Sequence, residues 1–335
     1  MIQLLTYPEI APKQWQALID RSPYATWFQT REAYEFYAAN PEEMTPFAVG
    51  VEEDGQLVGV VVGYTTREKN PIKQRFTCRS IIIGGPLLDE YMSNDVLTAL
   101  LVAVKQATKG AIYVESRNFN DYSKWKETFE QCGFAYQPHL NFHVDTTKSW
   151  ETIENNIGKH RRKYIRLSMR DGAKIVEYPT IEQVRAFYTI LQDLYRTKVR
   201  TPLWSWEFFE RLYHVPHARY ILVELDGQIV GGTACVCLPG KAVYEWYACG
   251  LDNCRDDIRP LSVAIWGEMQ YAAENGYPLF DFMGAGSPDQ PYGVRDFKAE
   301  FGGELVEHGR FLCIRKPLLY RIGKMGVKLL KRNIK

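Results

Sequence analysis

Residues 292–304, YGVRDFKAEFGGE, hold one lysine between two phenylalanines. Phe297 and Phe301 stand four apart, so on a helical turn they cover one face, with Lys298 beside it. The chain could aim such a lysine at a partner near the C-terminal end of the preceding strand. The same pattern suits a long side chain that lies along apolar surface and ends in water. Upstream, FDFMGAG (280–286) reads as a strand ending near Met283 and a glycine loop. That places Lys298 and Tyr292 near the C-terminal end of a parallel-type strand, where α/β sheets tend to carry sites. Asp281 in this strand has the chemistry of a base, and equally that of a capping or orienting group. Gly302-Gly303 stops the turn, and ELVEHGRFLCI is expected to follow as one strand.

A second cluster is cationic. In NNIGKHRRKYIRLSMRDG (155–172), Lys159, Lys163, Arg166 and Arg170 recur at spacings of 4, 3 and 4, on one face of a helix. Ile153, Ile157 and Tyr164 fall on another face. The cations form either a solvated surface or the wall of a groove that grips phosphates. Residues 315–335 carry eight Lys and Arg and no acid, while the other 314 residues hold 33 basic and 40 acidic side chains. In this tail Leu318, Leu319, Ile322, Met325, Leu329 and Leu330 recur at helical intervals. A docked helix, or one that meets anionic lipid or RNA, would give that pattern.

Other chemistries find little support. The six histidines show no metal-ligand spacing, and no catalytic triad is visible. The seven cysteines are odd in number and irregular in spacing, as expected of reduced thiols in a cytoplasmic protein. Glu115 and Arg117, two apart at a strand end, are expected to pair with each other. MIQLLTYPEI has neither a basic leader nor a long apolar run, so no signal peptide is expected, and no membrane-spanning run is visible. A net charge of +1 gives no global pull toward nucleic acid.

The elements that must position these residues repeat. EEDGQLVG (52–59) matches ELDGQIVG (224–231), and the two Asp-Gly pairs lie 172 residues apart. Asp-Gly between apolar runs predicts a tight hairpin. The helix pattern at Pro12–Asp20 matches Ile181–Leu194, and Ser93–Thr108 matches Leu261–Glu274. Each of the latter is followed by a short acid-bearing strand, with Glu115 in one copy and Asp281 in the other. The expected fold is α/β, with two tandem domains from internal duplication, mixed sheets and flanking helices. The expected ranges are 1–147 and 148–314, followed by a basic amphipathic helix at 315–335. This order resembles the GNAT (Gcn5-related N-acetyltransferase) fold. An acetyl-CoA enzyme of that fold usually carries a glycine-rich loop before its main helix, which holds pyrophosphate on backbone N–H groups. Here CRDDIRPLSVA (254–264) keeps Arg255 but has Ile258 and Pro260 where glycines would stand, and GGPLLDEYMSND (84–95) lacks the pattern too.

The string FDF–G–GV–FK–FG resembles the near-C-terminal segment of the Fem family of aminoacyltransferases, which build interpeptide bridges of peptidoglycan. Phe280-Asp281-Phe282, Gly284, Gly293-Val294, Phe297-Lys298 and Phe301-Gly302 carry the likeness. The basic helix 155–172, IIIGGPLL (81–88) and HLNFHVDTTKSWE (139–151) add to it. The resemblance implies attack by a stem-peptide amine of a peptidoglycan precursor on the ester carbonyl of an aminoacyl-tRNA. Lys298 would stabilise the oxyanion or the leaving ribose oxygen. Lys159, Lys163, Arg166 and Arg170 would meet tRNA or precursor phosphates, with Phe297, Tyr292, Asp281 and Arg255 as further binding residues. No cofactor or metal is implied. The precursor is nucleotide- or lipid-linked, the basic tail would lie near tRNA or the inner face of the membrane, and a monomer is expected.

An alternative is a GNAT-like transferase that takes an acyl group from CoA or an acyl carrier to a sugar or small amine, as in exopolysaccharide synthesis. A third reading is a non-enzymatic scaffold, favoured by a Lys298 buried in a salt bridge with no adjacent cleft.

Overall fold

The structure, a computed structural model, describes residues 1–68, 70–252 and 254–332. The chain forms two compact units, Met1–His139 with the segment from Glu307 onward, and Leu140–Val306. The first unit opens with β1 (Ile2–Thr6), α1 (Pro12–Arg21), α2 (Arg31–Ala38), β2 (Met44–Glu53) and β3 (Gln56–Thr66). It continues through α3 (Pro71–Thr77), β4 (Ser80–Gly84), β5 (Leu87–Leu88), α4 (Asn94–Ala107), β6 (Tyr113–Asn118), α5 (Lys126–Gln131) and β7 (Ala135–Gln137). The second unit runs β8 (Leu140–Asp145), α6 (Trp150–Asn156), α7 (Lys159–Arg170), β9 (Lys174–Val176), α8 (Ile181–Leu194) and α9 (Trp206–Tyr213). Then come β10 (Ala218–Leu225), β11 (Gln228–Leu238), β12 (Ala242–Gly250), α10 (Pro260–Glu274), β13 (Leu279–Asp281), α11 (Gly293–Ala299) and β14 (Glu304–Glu307). The chain ends in the first unit with β15 (Arg310–Ile314) and α12 (Pro317–Arg332).

Each unit is built on one mixed sheet. The orders are β1-β2-β3-β4-β6-β15-β7, with β5 on β3, and β14-β8-β13-β12-β11-β10-β9. In each, an antiparallel meander passes through a helix to a parallel neighbour: β4 to β6 through α4, and β12 to β13 through α10. The duplication extends to fine detail. Both hairpins turn on two residues of positive φ, Asp54 (50°) with Gly55 (81°) and Asp226 (51°) with Gly227 (78°). Asp and Gly tolerate that conformation, and it matches the twist of the flanking strands. The register of each hairpin then shifts at the equivalent step, between Val51 and Glu52 and between Val223 and Glu224.

The crossover helices supply much of each core. α4 buries Val96, Leu97, Leu100, Leu101 and Val104, each such side chain worth about 1.5–3 kcal/mol. α10 is apolar nearly all round and buries Val263, Ala264, Ile265, Met269 and Ala272, together with one acid, Glu268. The seven cysteines are free thiols, and most are buried.

Three sequence expectations differ from the structure. The units do not follow 1–147, 148–314 and 315–335, because β8 pairs with β13 and β15 pairs with β6 and β7. ELVEHGRFLCI is two strands in two sheets, β14 and β15, separated at His308-Gly309, where Gly309 has φ 64°. The basic stretch 155–172 is not one helix. It breaks at Ile157-Gly158, where Gly158 N donates to Glu300 O at 2.8 Å. Ile153 and Ile157 are buried as expected, but Tyr164 is 40% exposed, under the guanidinium of Arg259.

α12 leaves Leu318, Ile322 and Met325 exposed, beside exposed Ile72 and Phe76 of α3. It docks through Tyr320, edge-on to Tyr113 at 5.4 Å. The side chains of Leu329 and Leu330, and residues 333–335, lie outside the described residues. No helix among the described residues is long and apolar enough to cross a membrane.

Candidate active site

The site forms where two strands of the second unit part. β12 and β13 pair in parallel only at Val243↔Phe280 and Tyr244↔Asp281. Beyond Asp281 the chain follows β8 instead. Phe282 N donates to Phe142 O at 3.1 Å, and Ala285 N to Leu140 O at 2.7 Å. Met283 takes a positive φ of 56° at this turn, a conformation uncommon for a residue with a side chain. The carbonyls of Phe282 and Gly284 therefore turn away from β8, and Lys298 meets them. Its Nζ donates to Phe282 O at 2.5 Å and to Gly284 O at 3.1 Å. It also lies 3.7 Å from Oε1 of Glu245, the next residue of β12. The ammonium thus bridges the diverging strands.

The neighbouring sequence sets this position. Phe297 and Phe301 pack edge to face at 5.4 Å, and Phe301 is fully buried near Phe282. Gly302 has φ 79°, and a Cβ there would stand 2.4 Å from Asn156 O. Only glycine lets the turn after Phe301 press against α6. Lys298 is accordingly 9% exposed. The expectation of a surface side chain ending in water is corrected: its ammonium is taken up by two backbone carbonyls and lies beside buried Glu245.

Burial dominates the electrostatics. Glu245 is pushed up to about 7 by burial, against the pull of Lys298, with Asp281 adding repulsion. Its Oε2 has no hydrogen-bond partner among the described residues. Burial first, and then Glu245, raise Glu268 far above the carboxylate range. Lys298 thus faces one carboxyl group, Glu245, which in turn adjoins Glu268.

Asp281 is fully buried and points to the other side of the strand. Its Oδ1 accepts from Asn141 Nδ2 at 2.6 Å and from Met283 N at 2.6 Å, and its Oδ2 meets His143 Nε2 at 3.2 Å. These contacts hold the Asp281 carboxylate against β8 and the following turn. Burial pulls His143 down, but the hydrogen bond and charge of Asp281 outweigh it and the net shift is upward. His143 lines a cavity of about 350 Å³ with Lys148, Asn156, Gly302 and Glu304. A cavity therefore reaches the FK–FG turn at Gly302.

α7 presents two different faces. Lys159, Lys163, Arg166 and Arg170 line a cleft of about 630 Å³ along its outer side, with His160 and Arg162. Arg166 is tied to Glu154 at 3.1 Å and Arg170 to Asp171 at 2.7 Å, while Lys159 and Lys163 form no ion pair among the described residues. On the inner side Arg161 stacks over Phe297 at 4.4 Å, pairs with Glu300 at 3.1 Å and donates to Ser262 Oγ at 2.8 Å. The structure thus gathers Lys298, Phe297 and Asp281 around one strand end, with the four cations on the far side of α7. Tyr292 is half-exposed and packs on Gly286. Arg255 is exposed, pairs with Asp257 at 3.1 Å, and joins the Arg170 end of the cationic face through Asp171. Ile258 is fully buried and Pro260 begins α10, so the α10 N-terminus offers no glycine loop to a pyrophosphate.

Several residues of the site were not singled out from sequence. Arg161 was hidden among neighbouring cations. Glu245 and Glu268 lie in apolar runs whose partners are far away in sequence. Asn141 and His143 alternate along HLNFHVD, which marks one face of a strand. Among the described residues no group of three or more His, Cys, Asp or Glu is placed to hold a metal ion.

Residues 156–298 match the family described as acetyltransferase (GNAT) domain. FemX has the same fold over 96% of this chain and 99% of its own, with a TM-score of 0.72 and 17% identity. The chain has a tandem-GNAT fold, FemX-like in architecture, with a GNAT acetyltransferase-type domain at 156–298. L-PGS from Bacillus licheniformis is also similar in fold, over 94% of this chain and 96% of its own, at TM-score 0.56 and 13% identity. A tandem GNAT protein from the clavulanic acid biosynthesis pathway matches over 93% and 98%, at TM-score 0.56 and 10% identity. No curated protein matches the sequence.

The buried Glu245 gives a signed pH effect. Its folded carboxyl titrates near about 7, against an ordinary 4.5 when unfolded. The native state therefore binds the extra proton between these values and loses stability as pH rises through them. In thermal melts, the wild type should lose stability relative to Glu245→Gln from about pH 5 to about pH 7, and the two should run parallel below that. A constant difference across the range would mean that Glu245 titrates as an ordinary carboxylate.

Proposed function

We propose that this acyltransferase moves an amino acid from aminoacyl-tRNA to an amine of a peptidoglycan-precursor stem peptide. The observation that carries the reading is Lys298, a buried cation at the parting of β12 and β13 with one longer bond, to Gly284 O at 3.1 Å. A substrate oxygen that gains charge would displace that carbonyl and take the donor. The amine nitrogen attacks the ester carbonyl, a C–N bond forms, the C–O bond to ribose breaks, and the proton shed by nitrogen passes to the ribose oxygen. The ester is already activated, so a positioned cation suffices and no side-chain nucleophile is needed. The outer face of α7, with Lys159, Lys163, Arg166 and Arg170, suits the phosphates of the tRNA acceptor end or of the precursor. One feature argues against a framework role for Lys298, buried and ion-paired though it is. Oε2 of Glu245 beside it lacks a hydrogen-bond partner among the described residues, whereas a purely structural pair is expected to be fully satisfied.

The test supplies labelled amino acids on a charged total-tRNA pool to a panel of nucleotide- and lipid-linked precursors. Labelled precursor should form with the wild type and fall ~100-fold or more with Lys298→Met. Transfer from an acyl-CoA or acyl carrier thioester, with none from any aminoacyl-tRNA, would replace this reading with the thioester-dependent one.

A lipid-linked acceptor would bring the enzyme to an anionic membrane surface from the cytoplasmic side. α12 supports that contact, with Leu318, Ile322 and Met325 exposed among Arg321 and Lys324. Each basic residue near such a surface contributes roughly 1 kcal/mol. The protein should co-sediment with phosphatidylglycerol vesicles at low salt and be released at high salt. Leu318→Asp combined with Ile322→Asp should weaken binding about tenfold. Equal sedimentation with neutral vesicles, or no effect of the double variant, would remove α12 from this role.

A further inference from the structure

In the first unit, β6 and β15 run antiparallel with Arg117 directly opposite Arg310. Like charges placed across strands repel. Glu115, on the same face of β6, bridges them: its Oε2 accepts from Arg117 Nε at 2.9 Å and its Oε1 from Arg310 Nη1 at 2.9 Å. Arg310 Nη2 also donates to His139 Nε2 at 2.9 Å, which makes that ring nitrogen an acceptor. One carboxylate thus faces two guanidinium groups, and a positive charge is left over. Burial pushes Glu115 up, yet the two arginines outweigh it and hold it at about 2, so the carboxylate stays charged across the physiological range.

The expected Glu115–Arg117 pairing is present, but it does not use up the donors. Arg117 forms no hydrogen bond through Nη1 or Nη2 among the described residues, and its side chain is 35% exposed. Nε of Arg310 is buried without a partner, and so is the hydroxyl of Tyr37, which lies within electrostatic reach of Arg117. A network that served only stability is expected to balance its charge and satisfy its donors. This one keeps a net cation and a free guanidinium edge, the fork that matches two oxygens of one acid group.

We propose that Arg117 and Arg310 form an oxyanion subsite in the first unit that takes a carboxylate or phosphate group of an anionic substrate. Assigning that substrate as the acceptor of the transfer rests on the function proposed above; the subsite itself does not require it.

The test follows the Nε–H resonances of Arg117 and Arg310 by NMR while methyl phosphate or acetate is added to the full chain at constant ionic strength, with chloride as the balancing anion. Saturable shifts are expected with at least one of the two anions. Tighter binding of methyl phosphate assigns a phosphate, and tighter binding of acetate a carboxylate. Arg117→Gln should weaken binding by about tenfold or more, since it removes hydrogen bonds to a charged group. Arg117→Lys keeps the charge that offsets Glu115 and loses the fork, so it should also bind more weakly, and it carries the test if Arg117→Gln does not fold. No saturable shift with either anion, or equal affinity in the folded variant, would overturn the subsite. Because no transfer is involved, loss of the subsite and failure of the transfer assay are separate results.

Discussion

A single ammonium holds β12 and β13 together where their own hydrogen bonding stops. The two strands share only two residue pairs before Phe282 and Gly284 turn toward β8. Carbonyls left bare in a core cost roughly 1–3 kcal/mol each. A lysine buried without partners costs more still. At the parting of the strands the two costs offset each other, since Nζ reaches both carbonyls and lies beside Glu245. Removing either side leaves the other exposed to the full cost of burial, so Lys298, Glu245 and the 282–284 turn behave as one unit.

The rest of the second unit supports that arrangement. Phe297 and Phe301 seat α11, Gly302 lets the following turn approach α6, and Arg161 of α7 stacks across both rings while its guanidinium binds Glu300. Asp281 and Asn141 fix the start of the turn from the β8 side. α7 therefore connects two kinds of chemistry. Its inner side braces the lysine turn, and its outer side carries the cations that suit phosphate. A fold with such a site and no glycine loop before α10 is suited to a donor whose carbonyl is already activated and whose phosphates bind elsewhere.

Much of the fold was legible because it is written in local rules. The Asp-Gly hairpins, the two crossover helices and their acid-bearing strands could be read from turn chemistry and periodicity, and the duplication was visible as a 172-residue offset. What escaped depends on distant partners. Nothing local in ELVEHGRFLCI says that its two halves join different sheets. Glu245 reads as an ordinary strand acid until Lys298, 53 residues later, is placed beside it. The lysine itself was noticed, but its burial was not, because spacing alone does not tell apolar surface that ends in water from apolar surface that closes over. The break at Gly158 has the same origin: its amide is held by Glu300, far along the chain.

The most direct measurement is a double-mutant cycle on the single-turnover transfer rate with Lys298→Met, Glu245→Gln and both together. Groups that act as a unit give losses that do not add. The double variant is predicted to be no slower than Lys298→Met alone, because Glu245 matters only through the ammonium it faces. Losses that multiply would contradict the account and make the two residues independent contributors.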